Sequence, residues 1–179
     1  MYKTKVVNIV AGPGGSKSLT AALLFAGLKL KRHVVEYAPE YAKNLVWLEQ
    51  FRTLDNQHYV STQQYELIKR MDGKVEFIIT DGSLLHGLHY NRANPTNVSN
   101  VEKTERQILE YFHEFVNVVI VLKRGDYEYE QAGRQQNEHE AKAIDVELRR
   151  ILNAHGVKYV EFDASPDAVP TMIEYIRNA

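Results

Sequence analysis

At 179 residues the chain is long enough to bury the core of one domain, while two full domains would be cramped. Lysine and arginine number 22 against 23 aspartates and glutamates, so the net charge of -1 offers no global basic field to draw nucleic acid, although a local basic groove stays open. Cysteine is absent, which removes disulfides, thiolate metal sites and cysteine nucleophiles together, and no apolar run reaches the length of a membrane span. The expectation is a cytoplasmic protein without a membrane partner.

In chain order, the first strand-like run is Val6–Val10, followed by Ala11-Gly12-Pro13-Gly14-Gly15-Ser16-Lys17-Ser18 and a helical pattern through Leu19, Leu23, Leu24 and Leu28. Further strand-like runs fall at Val34–Glu36, Phe77–Thr80, Val118–Leu122 and Lys158–Phe162, each separated from the next by helical pattern. Such alternation predicts an α/β fold, a parallel five-stranded sheet with helices on both faces, in a single domain over 1–179. Ser61-Thr62-Gln63-Gln64 and Ser99-Asn100-Val101-Glu102 resemble capping boxes, Ser165-Pro166 puts proline at a first helical position, and a helix from about His139 ends near His155-Gly156. His89 to Asn97 is the least regular stretch and is expected to be a polar loop beyond the third strand, where parallel sheets bind ligands.

The segment 11–18 has the chemistry of a phosphate-binding loop. Glycines let backbone N–H groups turn inward around phosphates, the Lys17 ammonium reaches the β and γ phosphates, the Ser18 hydroxyl ligates Mg²⁺, and the following helix adds its positive end. Gly12, Pro13, Gly14, Gly15, Ser16, Lys17, Ser18 and Leu19 are therefore the expected ATP-binding residues. The match to G-x-x-x-x-G-K-[ST] departs at Ala11 and Ser16, which stand where glycines usually sit, and Ser16 costs conformational freedom there. Beside the common kinase form G-G-P-G-S-G-K-S, the loop reads as though the serine and glycine before the lysine had changed places.

Two carboxylates end strand-like runs, Glu36 and Asp81. If their strands flank the first, one orients Mg²⁺, through water, while the other accepts the proton of an attacking hydroxyl. Asp81 is the better metal candidate with Ser18, and Glu40 is expected to cap a helix or bind substrate. After the fourth strand, residues 124–138 form a polar, tyrosine-bearing excursion with the character of a mobile lid, from which Arg134 first and Arg124 second would reach the nucleotide. Tyr37, Glu40, His86, Tyr90, Asn91 and Arg92 are the expected acceptor contacts alongside Glu36. Asp145 and Arg149 have the spacing of an ordinary i,i+4 pair, and no histidines show metal-site spacing.

Through V-N-I-V-A-G-P-G-G-S-K-S, V-V-E-Y-A-P-E-Y-A, I-I-T-D-G-S and Y-E-Y-E-Q-A-G-R-Q-Q, the chain resembles the kinase branch of the P-loop NTPases. Within that branch it is similar to the ribosylnicotinamide kinase domain of bacterial NAD-biosynthesis proteins and to small kinases carried by bacteriophages. The resemblance implies a three-layer α/β/α fold, ATP with Mg²⁺, and transfer of the γ-phosphoryl to a hydroxyl. The acceptor it implies is a nucleoside, a nucleotide or a hydroxymethylated pyrimidine in phage DNA, the last placing the protein in a host cytoplasm. On this sequence Lys17 and Ser18 would hold phosphates and Mg²⁺, Glu36 or Asp81 would handle the acceptor hydroxyl, and Arg134 would act from the lid. A GTPase switch is disfavoured because Lys123-Arg124-Gly125-Asp126 lacks the asparagine of the guanine-reading pattern. A nucleotide-binding regulator or assembly ATPase remains the alternative.

Overall fold

The computed structural model describes residues 1–125, 128–130 and 136–179. Its sheet contains β1 (Lys5–Val10), β2 (Val35–Ala38), β3 (Phe77–Thr80), β4 (Val116–Lys123) and β5 (Val160–Asp163) in the spatial order β2-β3-β1-β4-β5. All four pairings are parallel. β1 thus lies at the centre, between β3 and β4, and its carboxyl end opens where the strand order reverses.

Valine and isoleucine runs suit strands buried on both faces. On one face Val7 and Ile9 pack with Leu24 and Leu28 of α1 (Lys17–Leu30) and Met172 and Ile176 of α8 (Val169–Asn178). On the other, Val6 and Val10 pack with Ile68 of α4 (Gln57–Lys69), Leu88 of α5 (His86–Ala93), Ile108 of α6 (Val101–His113) and Leu148 of α7 (Glu138–Ala154). The sheet between these two clusters gives the expected three layers. Truncating a fully buried leucine such as Leu24 to alanine would cost about 2–5 kcal/mol through lost burial and the cavity left behind.

Helix starts follow local chemistry that only partly matches the sequence reading. α4 starts at Asn56, whose side chain accepts from Tyr59 N–H at 3.1 Å, so Ser61 lies inside the helix instead of capping it. In the second predicted box Asn100, not Ser99, is the cap and accepts from Lys103 N–H at 2.8 Å. The reciprocal box is at Asn137 and Glu140, starting α7. Ser165 caps a short 3₁₀ turn, Pro166–Ala168, with proline in its first turn, and Gly156 takes a left-handed φ of 65° after α7.

The largest departure is the predicted polar loop, because His86–Ala93 is helical. Polar side chains hide its inner face, which buries His86, Gly87, Leu88 and Asn91. Gly87 allows α4 and α6 to approach: a Cβ there would stand 2.9 Å from Ser61 Oγ and 3.0 Å from Ile108 Cδ1. Between β2 and α4 lie two short helices, α2 (Tyr41–Trp47) and α3 (Phe51–Leu54). Among the described residues, no helix is long and apolar enough to cross a membrane.

Candidate active site

The phosphate-binding loop leaves the carboxyl end of β1 and turns into α1. Gly15 N–H donates to Gly12 O at 3.2 Å, Thr20 N–H to Ser16 O at 2.9 Å, and Lys17 Nζ donates to Gly12 O at 3.1 Å. Gly14 and Ser16 have left-handed backbones, with φ of 68° and 60°. Serine at that position costs roughly 1–2 kcal/mol relative to a right-handed conformation, yet the turn is kept. Ala11 explains the apparent exchange of serine and glycine. A Cβ on residue 15 would lie 2.7 Å from the Ala11 methyl, so position 15 has room for glycine alone and serine falls at position 16.

Asp81 follows the last residue of β3 and is 4% exposed. Its Oδ2 accepts from Ser18 Oγ at 2.6 Å, while its Oδ1 is buried with no hydrogen-bond partner. An orphaned carboxylate oxygen beside a serine hydroxyl at the first turn of α1 is a donor set that fits Mg²⁺, a hard cation taking oxygen ligands. Tyr37 stands beside this carboxylate, and burial first and the Asp81 charge second push its phenol above the usual range.

The register of β2 separates the two glutamates. Glu36 stands opposite Ile78, three residues short of Asp81, where it is exposed and pairs with Lys29 at 3.7 Å. Glu40 is level with the site instead, because Ala38 O accepts from Asp81 N–H at 3.1 Å and a Cβ on Gly82 would meet Glu40 Cα at 2.9 Å. Glu40 lines the main cavity and Glu36 does not.

That cavity measures about 840 Å³ and runs from Lys17 and Ser18, past Glu40 and Gly82, to His86 and Tyr90. Burial, then the Glu40 charge, raises the Tyr90 phenol above its usual range. His86 Nε2 lies 3.1 Å from Ala11 O and Nδ1 3.2 Å from Ser83 O. Burial first and the Lys17 charge second push this imidazole down to about 3, so it is neutral and donates to one carbonyl at a time.

The remaining expected acceptor contacts lie elsewhere. Asn91 is 1% exposed and structural: its Nδ2 donates to Val101 O at 2.8 Å and its Oδ1 accepts from Asn97 Nδ2 at 3.0 Å. Arg92 is turned outward, ion-paired with Glu105 of α6, and does not line the cavity. Both follow from α5 being a helix, which points successive side chains around its axis instead of presenting them together. Arg134 lies outside the described residues.

Arg124 does meet the loop, through backbone rather than as a free arm: its Nη2 donates to Pro13 O at 2.8 Å and its Nε to Asp145 Oδ2 at 2.7 Å. The expected pairing of Asp145 with Arg149 does not form between side chains. Arg149 Nε pairs with Glu161 at 2.6 Å, and its Nη1 donates to the Asp145 carbonyl oxygen at 3.1 Å. No spacing signal in the sequence marks Asp145 as a loop contact, since a nearer arginine on its own helix offers the simpler partner.

The family described as AAA domain matches residues 6–167, a span that begins in β1 and ends after β5. The chain belongs to this family. The AAA-domain span contains the phosphate loop and Asp81 together. Deoxyadenosine kinase from M. mycoides, solved with the products dCMP and a flexible dCDP bound, is similar over 97% of each chain, at 19% identity and a TM-score of 0.61. The YorR protein from Bacillus subtilis, solved in complex with phosphorylated GDP, is similar over 98% of this chain and 95% of its own, at 14% identity and a TM-score of 0.55. These likenesses show a shared fold, a parallel five-stranded sheet between helices. No curated protein matches the chain.

Proposed function

We propose that this protein is an ATP-dependent phosphotransferase whose acceptor is a hydroxyl of a nucleoside-type compound. The observation that carries the reading is a cavity bounded on one side by Lys17 and Ser18 and on the other by Glu40, Gly82 and Tyr90, so that among the described residues no protein stands between the donor and acceptor positions. Deoxyadenosine kinase and phosphorylated GDP among the structural relatives agree with it. Loop amides and the α1 N-terminus would cradle the β and γ phosphates, and Lys17 would leave the Gly12 carbonyl for them. Ser18 and Asp81 would hold Mg²⁺, which neutralises phosphate charge when bound. Glu40, in place of Glu36, would orient the acceptor hydroxyl and take its proton. Arg134 is retained as the lid residue that would reach the transferring group.

The charge lining the cavity favours an acceptor without phosphate. Among its described residues beyond the phosphate loop, Glu40, Asp55, Glu128 and Glu130 are acidic and Lys43 is the one lysine or arginine. A nucleoside meets that surface at lower cost than a nucleoside monophosphate or a DNA strand, whose phosphates want paired cations. The test is a radiolabelled-ATP transfer panel of nucleosides, nucleoside monophosphates, ribosylnicotinamide and hydroxymethyluracil-containing DNA. Label on a free nucleoside or ribosylnicotinamide is expected. Label on DNA or monophosphates alone would overturn the phosphate-free acceptor, and ATP hydrolysis without transfer to any acceptor would favour the assembly-ATPase alternative.

A further inference from the structure

Gly12 is held from two directions. Its carbonyl accepts from Lys17 Nζ at 3.1 Å and from Gly15 N–H at 3.2 Å, whereas its N–H donates to Asp145 Oδ1 at 2.6 Å. The other Asp145 oxygen accepts from Arg124 Nε at 2.7 Å, and Arg124 Nη2 returns to Pro13 O at 2.8 Å. Two consecutive loop residues, one carboxylate and one guanidinium therefore close a ring. α7 carries the carboxylate and lies directly against the loop, for a Cβ on Gly12 would stand 2.6 Å from Ala141 O and 2.9 Å from Asp145 Oδ1.

We propose that Asp145 is a positioning residue for nucleotide binding: it fixes the first half of the phosphate loop to α7 and to Arg124, the residue that directly follows β4, so that the loop keeps one orientation. The side chains of Asp145 and Arg124 are 10% and 15% exposed. A carboxylate this buried is costly unless its oxygens are occupied, and both of them are. What it occupies is loop backbone, whose orientation decides how well the amides beyond it meet phosphate. Lys17 must release the Gly12 carbonyl in order to reach a nucleotide, and the Asp145 bond to Gly12 N–H is independent of that release. Arg124 also offsets the negative charge that Asp145 would otherwise set near a triphosphate.

The inference rests on the ATP-binding reading only for its consequence in affinity, so the experiment has two arms. In the first, hydrogen–deuterium exchange is measured on the ligand-free wild type, Asp145→Asn and Glu161→Gln, the last breaking the neighbouring Arg149 ion pair on α7. Asp145→Asn should speed exchange at residues 12–18 by about tenfold or more with β1 still protected, as expected for losing a charge-assisted hydrogen bond, while Glu161→Gln should leave the loop unchanged. In the second arm, the KM for Mg·ATP should rise by about tenfold in Asp145→Asn, with the acceptor KM unchanged, as for other misplaced binding groups. If Asp145→Asn does not fold, Arg124→Lys, which keeps the charge and loses the fork, takes its place in both arms with the same expectations. Unchanged loop exchange in the folded variant overturns the brace, and faster exchange with an unchanged Mg·ATP KM overturns its role in binding. A wild type that binds no Mg·ATP sinks the kinase reading and leaves the exchange arm to decide the brace.

Discussion

The phosphate wall of the cavity is tied down through backbone atoms, whereas the opposite wall is assembled from short helices held by side chains. On the first, the turn between the central strand and α1 is anchored by Asp145, Arg124 and His86, all bonded to main-chain groups of residues 11–13. On the second, α2 and α3 have seven and four residues, and Trp47 and Phe51 on them and Leu48 between them are exposed. Gln64 spends its amide on Pro39 O and Tyr41 N–H, holding that wall together. Preorganised amides are what phosphoryl transfer requires, since the protein's share of the chemistry is positioning and charge stabilisation. On the proposed reading, the wall of short helices would take the acceptor while the braced loop holds the donor.

The sharpest way to break this contrast is at Lys17. Lys17→Ala should lower turnover by about 10²–10³, as for other removed groups that stabilise transition-state charge, with the acceptor KM little changed. Near-normal turnover by the folded variant would refute the donor-wall assignment. Next come the carboxylates where the walls meet. Asp81→Asn and Glu40→Gln should each reduce kcat by roughly 10²-fold or more with melting temperatures close to wild type, while Glu36→Gln should be silent. A large drop in melting temperature for Asp81→Asn with activity retained per folded molecule would make Asp81-Gly82 a turn serving the fold alone.

A smaller effect separates the walls by pH. His86 is neutral when folded, with its pKa at about 3, against an ordinary value of 6.5. Its contribution is fully present above 6.5 and is lost progressively as pH falls from there toward about 3, because the unfolded chain takes up a proton that the folded protein refuses. Urea unfolding between about pH 7 and about pH 5 should therefore show a shallower loss of stability in His86→Gln than in wild type, by about 1 kcal/mol per pH unit over the acid half of that range. Parallel curves would mean that His86 is protonated in place. Smallest of all is Arg92→Ala: its partly exposed ion pair is worth about 1 kcal/mol or less. Acceptor KM should not move, and a several-fold rise would return α5's outer face to the site.

The loop between β1 and α1 was legible because its residues are neighbours in sequence. Gly12 to Ser18 bring the loop-forming residues together in consecutive positions, and five strand-like runs separated by helical pattern predicted a parallel sheet with helices on both faces. Phe77–Thr80 falls on β3 residue for residue. What failed depends on register and on helix faces. Glu36 and Glu40 cannot be ranked until β2 is aligned with β3, which sets Glu36 beside Ile78 and Glu40 beside Gly82. Asn91 and Arg92 read as paired donors in a loop, but a helix sends one inward to Val101 and the other outward to Glu105. Asp145 acts across 133 residues of sequence, a distance at which spacing carries no information.

The exposed helix on the acceptor wall gives this protein an optical handle. Trp47 is the chain's one tryptophan, 62% exposed, and it directly follows Val46, which lines the cavity together with Lys43 on the same helix. Its emission comes from a solvated indole on the acceptor wall, with no second indole to dilute it. An acceptor bound against Val46 and Lys43 would change the water around that ring, so its emission would report binding at this wall without any added label.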